Sequence, residues 1–203
     1  MADFPTQARV VIIGGGVGGA SIAYHLTLMG WKDVVILERH ELTSGSTWHS
    51  AGLIGQMRSD ANLTRMMHYS TDLYRKLKDE TGHDPAWREV GGLRLASSAE
   101  RVEDLKRLVG MAQSFGVPMD LISPKEALDL FPIMNPEGIA GAAYTPNDGV
   151  IDPTGLTNAL ATGAEYIIST DLSCLMQLDG FIKNKSLPIK TMHIADVLAN
   201  GWE

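Results

Sequence analysis

The feature that most constrains this chain is a β-branched run, Arg9–Ile13, that ends abruptly in Gly14-Gly15-Gly16-Val17-Gly18-Gly19. A short apolar run bounded by glycine reads as a buried parallel strand. Gly14, Gly16 and Gly19 fit G-x-G-x-x-G. The first glycine makes the tight turn, the second lets backbone N–H groups reach phosphate, and the third lets helix pack on strand. Ile22, Leu26 and Met29 follow at helical spacing, with Gly30 placed as a C-cap. Asp33–Leu37 reads as a second buried strand, which completes a βαβ unit of about 30 residues. Glu38 closes that strand about 20 residues after the last glycine, where a carboxylate takes ribose hydroxyls. Such an acid repels a 2′-phosphate even with Arg39 beside it. The expected nucleotide site is therefore Gly14, Gly16, Val17, Gly18, Gly19, Glu38 and Arg39. FAD and NAD both satisfy it, and the motif does not choose between them.

Downstream, Leu63, Met66, Met67, Ser70, Leu73, Tyr74 and Leu77 trace one helical face. Gly91–Ala96 reads as a strand, and Val102 to Phe115 as another amphipathic helix. Ser123-Pro124 opens a short capped helix running to Leu130. Ala140–Tyr144 is strand-like, Pro146–Gly149 is turn chemistry, and Asp152-Pro153 caps a helix to about Leu160. Alternating strands and helices give an α/β class: a Rossmann-like βαβ unit plus the first part of a mixed α+β domain. Asp148 and Asp152 read as turn and cap residues rather than acid/base groups.

The net charge of −7 offers no basic face for nucleic acid. No apolar run reaches the roughly 18 residues of a membrane helix, and the first residues lack the pattern of a secretory signal. One cysteine, Cys174, excludes an internal disulfide. His25, His40, His68, His83 and His193 show no metal-binding spacing, so no metal is expected.

The segment Leu42–Leu53, LTSGSTWHSAGL, is a loop beside the pyrophosphate in such a fold. Ser46 and Thr47 can donate to phosphate, and Gly45 and Gly52 permit close backbone approach. Together with VIIGGGVGGASIAYHL, VVILER, GGLRLA and YTPNDGVIDP, this segment resembles the dimethylglycine and sarcosine dehydrogenase family. These are flavoproteins of the D-amino-acid-oxidase-like superfamily, and the resemblance is nearly continuous from Arg9 to about Ala161. It implies FAD as cofactor, covalently attached at His49 through the flavin 8α carbon. Gly45, Ser46, Thr47, Trp48, Ser50, Ala51, Gly52 and Leu53 are implied as the rest of the flavin-side loop. It also implies oxidation of a small N-methyl amino acid by hydride transfer to the flavin, in the cytoplasm or, in a eukaryote, the mitochondrial matrix. No catalytic base is assigned.

Three segments are expected: residues 1–60 as the first half of the FAD domain, 61–161 as the start of a substrate domain with a helix returning to the FAD domain, and 162–203 as an unrelated tail. The tail's STDLSCLMQLDG and IKTMHIADVLA resemble the carboxyl end of cysteine-rich iron–sulfur proteins of lactate utilisation. A single thiolate cannot hold such a cluster. Within the tail, Tyr166–Ser169 reads as one short apolar strand and the stretch near Ile194–Ala199 as a final helix. Two other functions stand beside the oxidase reading: an inactive remnant that at most binds a dinucleotide, and an NAD(P)-binding reductase.

Overall fold

The computed structural model describes residues 8–162, 166–169, 183 and 190–193. They form two compact units. The first gathers residues up to Gly52, Lys76–Ala86 and those from Asp152 onward; the second gathers Leu53–Arg75 and Trp87–Ile151. The boundary after the flavin-side loop thus falls at 52/53, where the sequence reading placed it at 60/61.

In the first unit, β1 (Val10–Ile13), α1 (Val17–Leu28) and β2 (Val34–Leu37) make the expected βαβ unit. Its strands are parallel, in register from Val10↔Val34 to Ile13↔Leu37. Ile12, Val34 and Ile36 form one face of the core with Ala23 of α1. The alternate residues Val11 and Ile13 of β1 are exposed. Helix α1 ends in a Schellman turn: Gly30 N–H reaches Thr27 O at 2.9 Å and Trp31 N–H reaches Leu26 O at 3.0 Å. Gly30 takes φ +77° there, which a residue with a Cβ adopts only at a cost.

Next to β2 lies β9 (Tyr166–Ser169), parallel to it through Ile36↔Ile167 and Leu37↔Ile168. Strand β10 (Lys190–His193) pairs in parallel with β9, so the order is β1-β2-β9-β10. The sequence pattern marks Tyr166–Ser169 as a strand but not β10. The tail residues that are described therefore join the nucleotide sheet. The helix expected near Ile194–Ala199, and Cys174, lie outside the described residues. Helix α5 (Pro153–Ala161) returns to this unit and packs along α1, where Ala20 and Ala23 allow close approach.

Asp152 caps α5 as expected, accepting from Thr154 N at 3.1 Å and Gly155 N at 3.0 Å. Asp152→Ala should leave two helix-end amides without an acceptor and cost about 1 kcal/mol. A chemical denaturation midpoint unchanged by the substitution would contradict this.

The second unit holds two antiparallel sheets. One is β3 (Leu53–Ile54), β8 (Gly149–Val150) and β4 (Arg88–Glu89), in the order β3-β8-β4. The other is β5 (Gly92–Ala96), β7 (Gly141–Thr145) and β6 (Asp120–Ile122), in the order β5-β7-β6. The two-residue strands are too short to carry a periodic signal, which is why the sequence pattern does not reveal them. Helix α3 (Ala99–Ser114) packs on the second sheet over Leu105, Ala112, Val117, Met119 and Ala143. Helix α4 (Pro124–Leu130) carries a full capping box, with Ser123 and Glu126 bonded reciprocally. The long helix α2 (Ala61–Thr81) starts in the second unit and ends in the first. Among the described residues no helix is long and apolar enough to cross a membrane.

Candidate functional site

The glycine turn shows which of its positions require glycine. Gly14 has φ +109°, outside the range of ordinary L-residues. A Cβ on Gly19 would overlap the carbonyl oxygen of Gly14, and one on Gly16 would sit 2.9 Å from Thr47 Oγ1. Gly15, outside the motif, is held as tightly: its Cβ would lie 2.5 Å from Leu42 Cδ2. Gly18 faces open space. At the start of α1, Val17 N–H donates to Thr47 Oγ1 at 3.1 Å. The amides of Gly16, Gly18 and Gly19 have no acceptor among the described residues. Free N–H groups at the positive end of a helix dipole form a ready anion site.

Glu38 closes this turn from the second strand. Its Oε2 accepts from Gly15 N–H at 2.6 Å and its Oε1 from His40 N–H at 3.0 Å. Each oxygen keeps a lone pair for a hydroxyl donor. The acid is thus tied to the glycine turn itself, a contact that spacing alone does not reveal.

The loop after β2 folds back on the turn. Thr43 N–H donates to Gly15 O at 3.1 Å, and buried Thr43 sits at φ +74°, unusual for a β-branched residue. Sequence reading missed this position, because strain leaves no compositional trace. Thr47–His49 form one 3₁₀ turn. Thr47 is buried; its oxygen takes the Val17 proton while its own proton remains to donate. Ser50 Oγ accepts from Gly52 N–H at 3.2 Å, and Gly52 has φ +68°. Gly45 neither packs closely nor takes a positive φ, so nothing in the fold requires glycine there.

His49 is exposed, and its Nδ1 lies 3.1 Å from Gly45 O. A carbonyl oxygen only accepts, so Nδ1 is a protonated donor, and in the neutral ring Nε2 is the nitrogen that carries the lone pair. The Trp48 ring packs against the imidazole at 3.9 Å between centroids, and Trp48 Nε1 donates to Ser44 O at 3.1 Å. The ring is held by one hydrogen bond and one aromatic face. Ser46 precedes the 3₁₀ turn without capping it, Ala51 is exposed, and Arg39 lies just past Glu38. Leu53 belongs to the second unit as the first residue of β3, paired with Val150.

The second unit contains a cleft of about 580 Å³, bordered by Leu53, Leu130, Phe131, Tyr144 and Asp148 among others. Asp148 does more than shape a turn. It is buried, and its Oδ1 accepts from Gln56 N–H at 2.8 Å across 92 positions of sequence. Burial pushes its carboxyl above the usual range, opposed by the Gln56 amide and the guanidinium groups of Arg94 and Arg58. The folded chain therefore holds this proton more tightly than the unfolded chain. Stability contributed at Asp148 falls as pH rises from the ordinary carboxylate value through the raised one. Asp148→Asn, which keeps an acceptor for Gln56, should flatten that slope and leave the neutral-pH melting temperature equal or higher. A melting series against pH checks this, and an unchanged slope would contradict it.

Residues 9–166 match the FAD dependent oxidoreductase family. The chain belongs to that family. Human mitochondrial sarcosine dehydrogenase is 42% identical over 161 residues, which is 79% of this chain and 18% of that protein. Rat mitochondrial dimethylglycine dehydrogenase is 43% identical over 162 residues, 80% of this chain and 19% of that protein. This chain of the FAD-dependent oxidoreductase family thus spans about a fifth of the length of these curated relatives. The crystal structure of L-proline dehydrogenase from P. horikoshii superposes with a TM-score of 0.75 at 29% identity. It covers 94% of this chain and 45% of that one. The family match runs to residue 166, a few residues beyond Ala161, where the resemblance in sequence ends.

Proposed function

We propose that the chain supplies the pyrophosphate, ribose and one flavin edge of an FAD site in an oxidoreductase acting on N-methylated glycines. The observation that carries this reading is the convergence on one turn of three groups: the Gly16, Gly18 and Gly19 amides, which have no acceptor among the described residues, the Thr47 hydroxyl and the Glu38 carboxylate. Gly16, Gly18 and Gly19 would take the pyrophosphate, Thr47 and Ser46 would donate to it, and Glu38 would accept from the ribose. Val17 follows Gly16 at the start of the helix, and Arg39 flanks the acid. The loop Gly45–Leu53 would border the flavin, with His49 Nε2 as the atom that bonds the 8α carbon. The hydrogen bond from Nδ1 to Gly45 O supports that choice, because it engages the other ring nitrogen within the loop.

Bound FAD would supply the hydride acceptor for oxidation of the substrate C–N bond. The substrate class is carried by the named activities of the two relatives, sarcosine and dimethylglycine dehydrogenase. Their mitochondrial location supports the same compartment for a eukaryotic source of this chain. The test is acid precipitation of purified protein. Yellow colour and flavin fluorescence are expected to stay with the pellet; colour released to the supernatant would leave FAD binding but overturn the covalent bond. A colourless protein that takes up no FAD on titration would overturn the site itself.

A further inference from the structure

We propose that residues 131–139 form a strap that folds over the cleft of the second unit, with the Ile133 side chain as the group that closes it. The strap leaves the end of α4 at Phe131, whose N–H reaches Ala127 O at 3.0 Å. It rejoins the fold at Ala140, whose N–H reaches Ala96 O at 2.7 Å. Between those anchors the hydrogen bonds among the described residues are local. Met134 N–H donates to Phe131 O at 3.0 Å, Ile139 N–H to Pro136 O at 3.1 Å, and Glu137 N–H to Asn135 Oδ1 at 3.0 Å. The segment is thus tied to the rest of the fold by hydrogen bonds at its ends, the pattern of a part that opens locally at small cost. Gly138 sits at φ +78° near the second anchor, and a Cβ there would meet nothing within 4 Å. A glycine in open space changes its backbone angles without a steric penalty.

The chemistry of the strap says where it goes. Ile133 is 85% exposed, and Leu130 and Phe131 beside it are about half exposed. Leu130 and Phe131 already border the cleft, as do the exposed Leu53 of β3 and Val90 just past β4. Apolar side chains thus stand in water on the strap and on the rim of the same cleft, and burying them together removes apolar area from solvent. Ile133 is two residues from Phe131, so its Cα lies within about 7 Å of that lining residue's Cα. The first half of the strap carries no charge; its one acid, Glu137, stands next to Gly138 at the far end. Pro132 and Pro136 fix φ at two positions, so the strap moves as a stiff piece about its ends. The cleft also tolerates a dry cover. Asp148, the one charged side chain of its lining, accepts from Gln56 N–H at 2.8 Å and lies in the field of the Arg94 and Arg58 guanidinium groups. Gly92 gives it room, since a Cβ there would stand 2.8 Å from Oδ2. The catalytic consequence, exclusion of bulk water from a C–N bond being oxidised, rests on the proposed function; the closing motion does not.

The experiment is methyl relaxation dispersion on the full chain with no flavin added, which detects a minor closed state exchanging in microseconds to milliseconds. The methyls of Ile133, Leu53 and Val90 should share one exchange process. Ile133→Ser should lower the closed population about tenfold and flatten the dispersion at Leu53 and Val90. The melting temperature should not move, because the side chain is exposed in the open form. Ile133→Leu keeps an apolar closing group and should keep the dispersion. Flat profiles at Leu53 and Val90 in the parent chain, or dispersion that survives Ile133→Ser, would overturn the proposal. So would exchange that grows with protein concentration, since Ile133 would then be meeting a second copy rather than the cleft. Because no flavin is present, failure here leaves the FAD reading standing, and failure of FAD binding leaves this result untouched.

Discussion

Gly19→Ala is expected to cost about 3 kcal/mol of stability and to weaken FAD binding at least about hundredfold. Alanine ordinarily favours a helix over glycine by roughly 1 kcal/mol, so the sign of this effect comes entirely from tertiary contact. The added Cβ would overlap Gly14 O, which is main chain and has no rotamer to move. Gly14 is itself fixed by its own N–H, which reaches Leu37 O at 2.7 Å, and by φ +109°. The turn must therefore open, which separates α1 from β1 and moves the amides that would meet the phosphates. Gly18→Ala is the control inside the same motif. It faces open space and should be neutral or stabilising by up to about 1 kcal/mol. Thermal melts and flavin titrations of the two variants decide the matter. Equal behaviour would show that the glycine pattern is not read through helix–strand packing.

His49→Ala should abolish acid-stable flavin while dissociable FAD binding persists. Removing the imidazole removes the one nucleophilic nitrogen of the Gly45–Leu53 loop. The groups assigned to pyrophosphate and ribose are other than the imidazole: the amides at the start of α1, the Thr47 hydroxyl two positions earlier in the same 3₁₀ turn, and the Glu38 carboxylate all remain. A Gln substitution is a useful companion, since it keeps a polar side chain of similar reach but no ring to rest on Trp48. Acid precipitation followed by fluorescence of pellet and supernatant separates the two forms of flavin. Flavin retained in the pellet of the alanine variant would move the attachment point to another residue.

The comparison of pattern with structure divides along the range of the interactions. Helix caps at Ser123 and Asp152, the amphipathic faces of α2 and α3, and the β1-α1-β2 unit were legible because each depends on residues a few positions apart. Tyr166–Ser169 was legible as a strand for the same reason, as a short β-branched run. Strands β3, β4 and β8 were not, because two residues carry no period; their existence depends on Val150 and Gly149 bonding to both partners. Asp148 illustrates the limit most clearly. Its neighbours Pro146, Asn147 and Gly149 announce a turn, and that local reading hides a carboxylate that crosses the chain to Gln56.

The sequence by itself determined a dinucleotide-binding βαβ unit, an acid at the end of its second strand, and a resemblance that pointed to flavin. Those conclusions need only spacing, because glycine conformations, helix periodicity and strand ends are local properties of the chain. The tertiary structure alone decided that Glu38 is anchored on Gly15 N–H, that Thr47 caps α1, and that Thr43 bears the strained backbone beside the turn. It alone decided which imidazole nitrogen of His49 is free, and that Gly92 leaves room for Asp148 in a cleft. Each of these is a contact between groups distant in sequence or a backbone angle imposed by such contacts. Their energies arise from burial and hydrogen-bond geometry, which exist only after the elements have packed.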